Sequence, residues 1–421
     1  MRREPDVTEL LLENVGLLAT CAGWGDARAR LGLISDAHVL CRDGLIVYAG
    51  SREKAPTASA SAKRIDARGQ LVTPGFIDAH THLVFAGERA NEFALRCRGA
   101  SYLEIAQAGG GIVSTVKATR AASEDDLVSK ARPRLARLLE QGATTVEAKS
   151  GYGLNVADEL KLLRAIKRLD ADGPLSLVPT LLAAHTLPPE YRDRREDYVR
   201  LCIEEILPAV AEAKLARFCD AFVEESAFTL DEGRRILSAG RALGMIPRLH
   251  ADQLTSGGGA ELAAEVGAAT ADHLEHISKS GIEALARANV ASVLVPTSTW
   301  FLRQSPFPPG RALADAGVTL ALGTNVNPGS AMSENLALAM SLLCLSCGLS
   351  PEEVLLAATV GGAKALKLDD RGRLVPGLRA DLVVHGCSSV EHLPYHAAVS
   401  HARVVIIEGR IAFERELVDC S

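Results

Sequence analysis

The chain has 421 residues, 48% of them hydrophobic and 23% charged, with a formal net charge of -6. That length holds one large barrel with a smaller attached domain, or two or three ordinary domains, and the balance of apolar and charged residues marks a globular chain. The acidic balance leaves no basic footprint for nucleic acid, and no uncharged apolar run is long enough for a membrane helix.

Met1-Arg-Arg is followed by Glu4, Asp6 and Glu9, so the N-terminus does not read as a signal peptide. Across the first seventy residues, Leu10 to Leu18, His38 to Cys41 and Leu45 to Ala49 are short apolar segments, with Arg42-Asp43-Gly44 as a hairpin turn. The texture then changes to apolar runs that end in a polar residue: Phe76 to His82, Ala143 to Lys149, Leu175 to His185, Phe218 to Glu224, Met245 to His250, Ala268 to His273, Val290 to Pro296 and Val318 to Asn325. Helical patterns separate most of them. In Ser123 to Gln141 a serine cap and an acidic first turn precede Leu127, Ala131, Leu135, Leu138 and Leu139 at helical spacing, and Gly142 is the stop, although Pro133 threatens the helix's continuity. Cys344-x-x-Cys347 closes a Leu/Ala/Met-rich stretch from Asn335 that reads as a buried helix, so core packing is expected of it rather than metal or redox chemistry. Asp381 to His385 and Arg403 to Phe413 return to strand texture. The nine cysteines are odd in number and suggest no disulfide framework, which fits a cytoplasmic protein.

About eight strand-like runs alternating with helices are what a parallel barrel needs, and two β-rich flanks, each too small to bury a core, are expected to combine. The expected fold is α/β: a (β/α)8 TIM barrel over residues 71–371, with a small β-sandwich domain built from residues 1–70 and 372–421.

In such a barrel, side chains at the C-terminal ends of the strands build the active site. Those ends here carry His80, His82, Lys149, His185, Glu224, His250, His273 and Asn325. His80 and His82, at i and i+2 of an extended segment, share a face and can grip one metal ion through neutral imidazoles. The tail histidines His385, His392, His396 and His401 read as structural or solvated.

The residues carry a resemblance that spans essentially the whole chain. Pro74-Gly-Phe-Ile-Asp-Ala-His-Thr-His82, Gly87-Glu-Arg89, Glu147-Ala-Lys-Ser-Gly-Tyr-Gly153, Ala184-His185, His250-Ala-Asp252, Ala271-Asp-His273, Asn327-Pro-Gly-Ser330 and Gly377-Leu-Arg-Ala-Asp-Leu-Val-Val384 resemble the imidazolonepropionase family of metal-dependent amidohydrolases. The resemblance implies hydrolysis of the cyclic amide of 4-imidazolone-5-propanoate to N-formimino-L-glutamate in histidine degradation. It implies a single metal ion, Zn2+ or Fe3+, held by His80, His82, His250 and the residue at position 325. Arg89 is then the fork for the propionate carboxylate, Tyr152 and His185 contact the ring and carbonyl, and Asn327, Gly329 and Ser330 close over the substrate's far end. His273 stands where the family places an imidazole that stabilises the oxyanion or shuttles a proton.

Two positions depart from the family's pattern. Where the family's eighth strand ends in Thr-Asp, with the Asp on the metal, this chain has Thr324-Asn325. Where the family reads His-x-Asp-Glu, with Glu as general base and ring contact, it has His250-Ala-Asp-Gln253. A neutral amide oxygen is a weaker ligand than a carboxylate, and Gln accepts no proton at neutral pH. Three readings follow: a working hydrolase with proton handling moved to His273 or Asp252, an impaired or inactive substrate-binding homologue, or a hydrolase of another cyclic amide. Lys149 with His185 also raises a two-metal site bridged by a carboxylated lysine, as in relatives resembling dihydroorotase or hydantoinase. The expected partner is the small-molecule substrate, with a homodimer as the default assembly and no nucleic acid or membrane.

Overall fold

The computed structural model describes residues 9–99 and 110–416. Its strands divide into two eight-stranded sheets. The first is built from both ends of the chain: β1 (Glu9–Ala19), β2 (Leu33–Arg42), β3 (Leu45–Ser51), β4 (Lys63–Asp66) and β5 (Leu71–Pro74) join β14 (Leu382–His385), β15 (Ala402–Ile407) and β16 (Arg410–Glu414). β1 runs antiparallel to β2 and parallel to β4 and β5, and β14 pairs antiparallel with β5, which stitches the two termini together. The β2–β3 hairpin turns at Asp43 and Gly44, both with positive φ (51° and 81°), the geometry whose twist matches that of the flanking strands. Alternation along these strands serves two cores. Leu382, Val384, Val404 and Ile406 join the sheet's own cluster with Leu12 and Val39, whereas Val383 and Val405 face the barrel's core.

The second sheet is parallel throughout, its strands adjacent in chain order: β6 (Phe76–Asp78), β7 (Ala143–Lys149), β8 (Ser176–Ala184), β9 (Phe218–Val223), β10 (Ile246–Ala251), β11 (Thr270–His273), β12 (Ala291–Leu294) and β13 (Leu320–Leu322). Each expected run delivers one strand. Backbone bonds across the seam close the ring, Ala79 N–H to the Leu322 carbonyl at 2.9 Å and Asn325 N–H to the His80 carbonyl at 2.9 Å. The fold is thus a (β/α)8 barrel carrying a terminal β domain. That domain is one mixed sheet, with Leu71–Pro74 part of it.

The helix Glu124–Glu140 forms as its sequence predicts, with a reciprocal capping box between Ser123 and Asp126. Pro133 sits inside without breaking it, because buried Leu127, Ala131, Leu135 and Leu138 fasten the helix to the barrel on both sides of the missing N–H. Asn335 caps the helix Leu336–Leu345, and Cys344 and Cys347 beside its end are free thiols, in keeping with a packing role. Among the described residues no helix is long and apolar enough to cross a membrane.

Candidate active site

The strand ladders stop short of the functional residues. β6 ends at Asp78 and β13 at Leu322, so His80, His82 and Asn325 lie where the chain has left the sheet but is still tied down. Asp78 does the tying: its carboxylate accepts from Thr324 N–H at 3.0 Å and Thr324 Oγ1 at 2.6 Å, and more weakly from His80 N–H. Burial pushes the Asp78 carboxyl up to about 7, against the pull of these hydrogen bonds.

Three buried imidazoles meet at this rim. His82 Nε2 is 3.3 Å from His80 Nε2 and 3.3 Å from His250 Nε2, and no other group of three or more His, Cys, Asp or Glu among the described residues converges in this way. Burial leads in pushing all three rings well below the ordinary imidazole range, helped by the Lys149 ammonium and the neighbouring rings. They are therefore neutral, the form that ligates metals. On two of them the Nδ1 proton is claimed by a carboxylate: His80 Nδ1 lies 2.6 Å from Asp272 Oδ2, and His250 Nδ1 lies 3.1 Å from Asp220 Oδ1. Their Nε2 atoms are then bare lone pairs aimed at one place, which suits a cation. Asn325 adds to the fit. Its backbone is bonded to His80, it holds a positive φ of 57°, and its buried Oδ1 has no hydrogen-bond partner.

Behind the trio lies a buried ion cluster that sequence reasoning did not assemble. Lys149 Nζ is 2.8 Å from both Glu147 and Asp220 and 3.6 Å from Asp272, while Arg248 donates to Asp272 at 2.9 Å and to the Ala79 carbonyl at 2.8 Å. Burial works against the charge of Lys149 and of Arg248. Even so, the three carboxylates keep the lysine and the arginine above their ordinary values. Lys149 is thus spent as a counter-ion, and the geometry offers it no bridging position between two metals. His185 is likewise engaged: its ring stacks on His82 at 5.0 Å and its Nδ1 meets the Gly151 carbonyl at 3.0 Å. Burial pushes its pKa down to about 4.

The residues expected to meet substrate gather around this centre. Tyr152 is buried with its ring 5.3 Å from His185 and 6.1 Å from His82. Glu159, from the first turn of the helix Val156–Asp172, receives the N–H groups of Gly151, Gly153 and Leu154 at 2.7–3.1 Å and so moulds the loop that carries Tyr152. Gly151 has φ 106°, and a Cβ there would press on the Leu182 carbonyl at 2.9 Å and on His185 Nδ1 at 3.0 Å. Arg89 pairs with Glu92 at 2.7–2.8 Å in a largely shielded setting. Its Nη1 lies so close to Gly329 that a Cβ on that residue would come within 2.1 Å. Asn327 is spent inside its own loop, donating to the Asn325 carbonyl and Ser330 Oγ and accepting from the N–H groups of Gly329 and Ser330, all at 2.7–2.8 Å. Its amide therefore shapes the turn that faces Arg89 and has no bonding position left for a ligand.

Proton acceptors at the rim are few. Gln253 is half-buried and makes no side-chain hydrogen bond with the described residues. Asp252 is committed elsewhere: its oxygens accept from Gly257, Gly259 and Ala260 N–H at 2.9–3.0 Å, capping the helix Gly259–Glu265. The expectation that Asp252 shares the proton handling is corrected by this geometry. Glu224 holds the adjoining loop through Leu254 N–H and the Thr255 side chain. His273 remains, buried, with its ring 5.3 Å from those of both His80 and His250.

The chain matches the amidohydrolase family over residues 71–411. It is 60% identical to the imidazolonepropionase of Myxococcus xanthus (strain DK1622), across 99% of this chain and 100% of that protein. It belongs to the imidazolonepropionase family. The imidazolonepropionase of Anaeromyxobacter dehalogenans (strain 2CP-1) is 50% identical over 98% of both chains. Among solved structures, the atrazine chlorohydrolase TrzN from Arthrobacter aurescens TC1, complexed with zinc, superposes with a TM-score of 0.71 at 19% identity, covering 96% of this chain and 95% of that one. That likeness is one of fold. In this chain His80, His82 and His250 form a cluster of buried ligand atoms that could hold a metal ion.

Proposed function

We propose that this chain is a working cyclic-amide hydrolase that opens 4-imidazolone-5-propanoate to N-formimino-L-glutamate in histidine degradation. The observation that carries the reading is the convergence of three neutral imidazoles at the rim of a barrel whose whole length matches imidazolonepropionases. The same full-length match favours turnover over a binding remnant or a different cyclic amide.

His80, His82 and His250 would hold one ion, Zn2+ or Fe3+, with the neutral Oδ1 of Asn325 as fourth ligand. When bound, it supplies Lewis acidity to a water and to the ring carbonyl. The protein's own part is orientation and proton transfer. Arg89, fixed by Glu92 and lying against Gly329, presents its guanidinium fork to the propionate carboxylate. Tyr152 and His185 line the place of the ring, and the Asn325–Ser330 turn closes the far end. Gln253 positions the ring by hydrogen bonding, because it cannot take a proton. His273 is the acceptor of the water's proton and its donor to the leaving nitrogen. A reducing cytoplasmic setting suits the odd count of nine cysteines, whose spacings suggest no disulfide framework. Metal analysis of the purified protein, combined with loss of the imidazolone chromophore and appearance of the formimino product, tests the reading. About one ion per chain with turnover is expected, and a metal-loaded protein that binds but never consumes the substrate overturns it.

A further inference from the structure

Glu275 belongs to none of the roles above, yet it is buried two residues beyond His273. Its Oε1 accepts from Thr299 Oγ1 at 2.8 Å, on the helix Pro296–Phe301 that follows β12, while its Oε2 is buried with no partner. His273 Nδ1 is also buried without a hydrogen bond, 3.6 Å from Glu275 Oε1. His273 Nδ1, a buried nitrogen without a hydrogen bond, thus lies just beyond hydrogen-bond reach of a carboxylate whose other oxygen has no partner. An unpaired imidazole N–H in a buried site is costly, and a shift of roughly half an ångström brings Nδ1 within hydrogen-bond reach of Glu275 Oε1. The backbone between them is unusual. His273 and Leu274 hold φ of 79° and 73°, a left-handed pair of non-glycine residues, and such strain persists only where the surroundings impose it. Its effect is to fold the chain back so that Glu275 lies beside the ring it follows, instead of pointing outward from the barrel.

We propose that Glu275 is the positioning residue for His273. Clamped by Thr299, it accepts the Nδ1 proton and fixes the ring's tautomer and orientation, so that Nε2 is the basic nitrogen presented to the site. Contacts between acid–base partners that are loose in the enzyme alone tighten in the complex with substrate. The arrangement repeats, for the imidazole outside the metal trio, what Asp272 and Asp220 do for His80 and His250. It also accounts for how one imidazole carries the proton work in a chain whose position 253 is Gln.

The inference rests on the proposed reaction, so its test has a reading that needs no turnover. In the full-length protein labelled with 15N-histidine, the His273 resonances, assigned by their loss in His273→Gln, report the tautomer directly. The parent is expected to show the proton on Nδ1, and Glu275→Ala to show it moved to Nε2 or averaged between the two nitrogens. In the kinetic arm, Glu275→Ala lowers kcat by ~100-fold with KM within about threefold and bound metal unchanged, the size expected for a disoriented acid–base group. Thr299→Val, which frees the carboxylate but leaves it in place, lowers kcat by ~3–10-fold, and Glu275→Gln, which keeps an acceptor oxygen, falls between. An Nε2-protonated His273 in the parent, or an unchanged tautomer in Glu275→Ala, overturns the inference. So does loss of metal in parallel with activity. If Glu275→Ala does not fold, an unchanged kcat and unchanged His273 resonances in both Thr299→Val and Glu275→Gln overturn it equally. Failure of the parent to consume imidazolone sinks the proposed reaction and leaves the tautomer reading standing.

Discussion

Asp272 offers the sharpest perturbation of the metal centre that leaves its ligands untouched. Its Oδ2 alone meets His80 Nδ1 at 2.6 Å, Arg248 at 2.9 Å and Lys149 at 3.6 Å, all out of contact with water. Arg248 and Lys149 outweigh its burial and hold its carboxyl below the ordinary range, so it is ionised. Asp272→Asn keeps the shape and removes one charge, leaving two carboxylates against two cations where there were three. The amide also has a donor edge, which disfavours the Nδ1-protonated form of His80 that leaves Nε2 free. Loss of an outer carboxylate partner of a ligating imidazole typically weakens metal binding ~10–100-fold, which is about 1.4–2.7 kcal/mol. Breaking a buried ion pair outright costs about 3–5 kcal/mol of fold stability. Here the cations retain Glu147 and Asp220, so the loss in stability is expected below that range. Competition for Zn2+ against a chromophoric chelator measures the first quantity, and urea unfolding of the metal-stripped protein measures the second. A folded Asp272→Asn protein whose Zn2+ affinity stays within twofold of the parent's refutes the claim that this carboxylate governs His80.

Gly329→Ala places a Cβ where Arg89 Nη1 now lies, and because the obstacle is the end of a flexible side chain the fold is expected to survive. On the proposed role of Arg89, KM rises ~10-fold or more with a small change in kcat; steady-state kinetics beside an unchanged melting temperature checks this. Asn325→Asp combined with Gln253→Glu restores the charge and the base of the family pattern, and turnover is expected to rise by ~100-fold or more; equal activity in the double variant means that one of the two positions has been misassigned. His385 concerns acid stability. Burial pushes its imidazole down to about 3, with Nε2 at 2.9 Å from Thr73 Oγ1. The unfolded chain therefore takes up a proton near pH 6.5 that the folded one refuses, so stability present above pH 6.5 drains away as pH falls toward 3. His385→Phe is expected to flatten that slope, read from urea midpoints at about pH 7, 6 and 5; an unchanged slope rules out this histidine as its source.

Much of the barrel was legible because each strand is a short apolar run closed by a polar residue, and that pattern survives in sequence. The trio was legible for a related reason: His80, His82 and His250 stand at run ends. The charge cluster was not. Glu147, Lys149, Asp220, Arg248 and Asp272 look like ordinary polar residues within strands, and only the register, which sets His250 opposite Asp272 and Arg248 opposite Thr270, brings them together. Asp252 misled for the opposite reason: beside a histidine read as a metal ligand it reads as chemistry, but the N–H groups of Gly259 and Ala260 at a nearby helix start, with that of Gly257 before it, claim it. Glu275 gave no signal because its place depends on two left-handed residues that no spacing rule anticipates.

The seam between the first and last barrel strands ties the site to the order of synthesis. Asp78 and Thr324, which clamp it, are 246 positions apart. A ribosome must therefore deliver more than three-quarters of the chain before His80 and His82 acquire the wall that fixes them. Until then two imidazoles hang from an open edge, alongside a carboxylate that lacks both of its bonds from Thr324. A chain truncated before Thr324 has His80 and His82 without that wall.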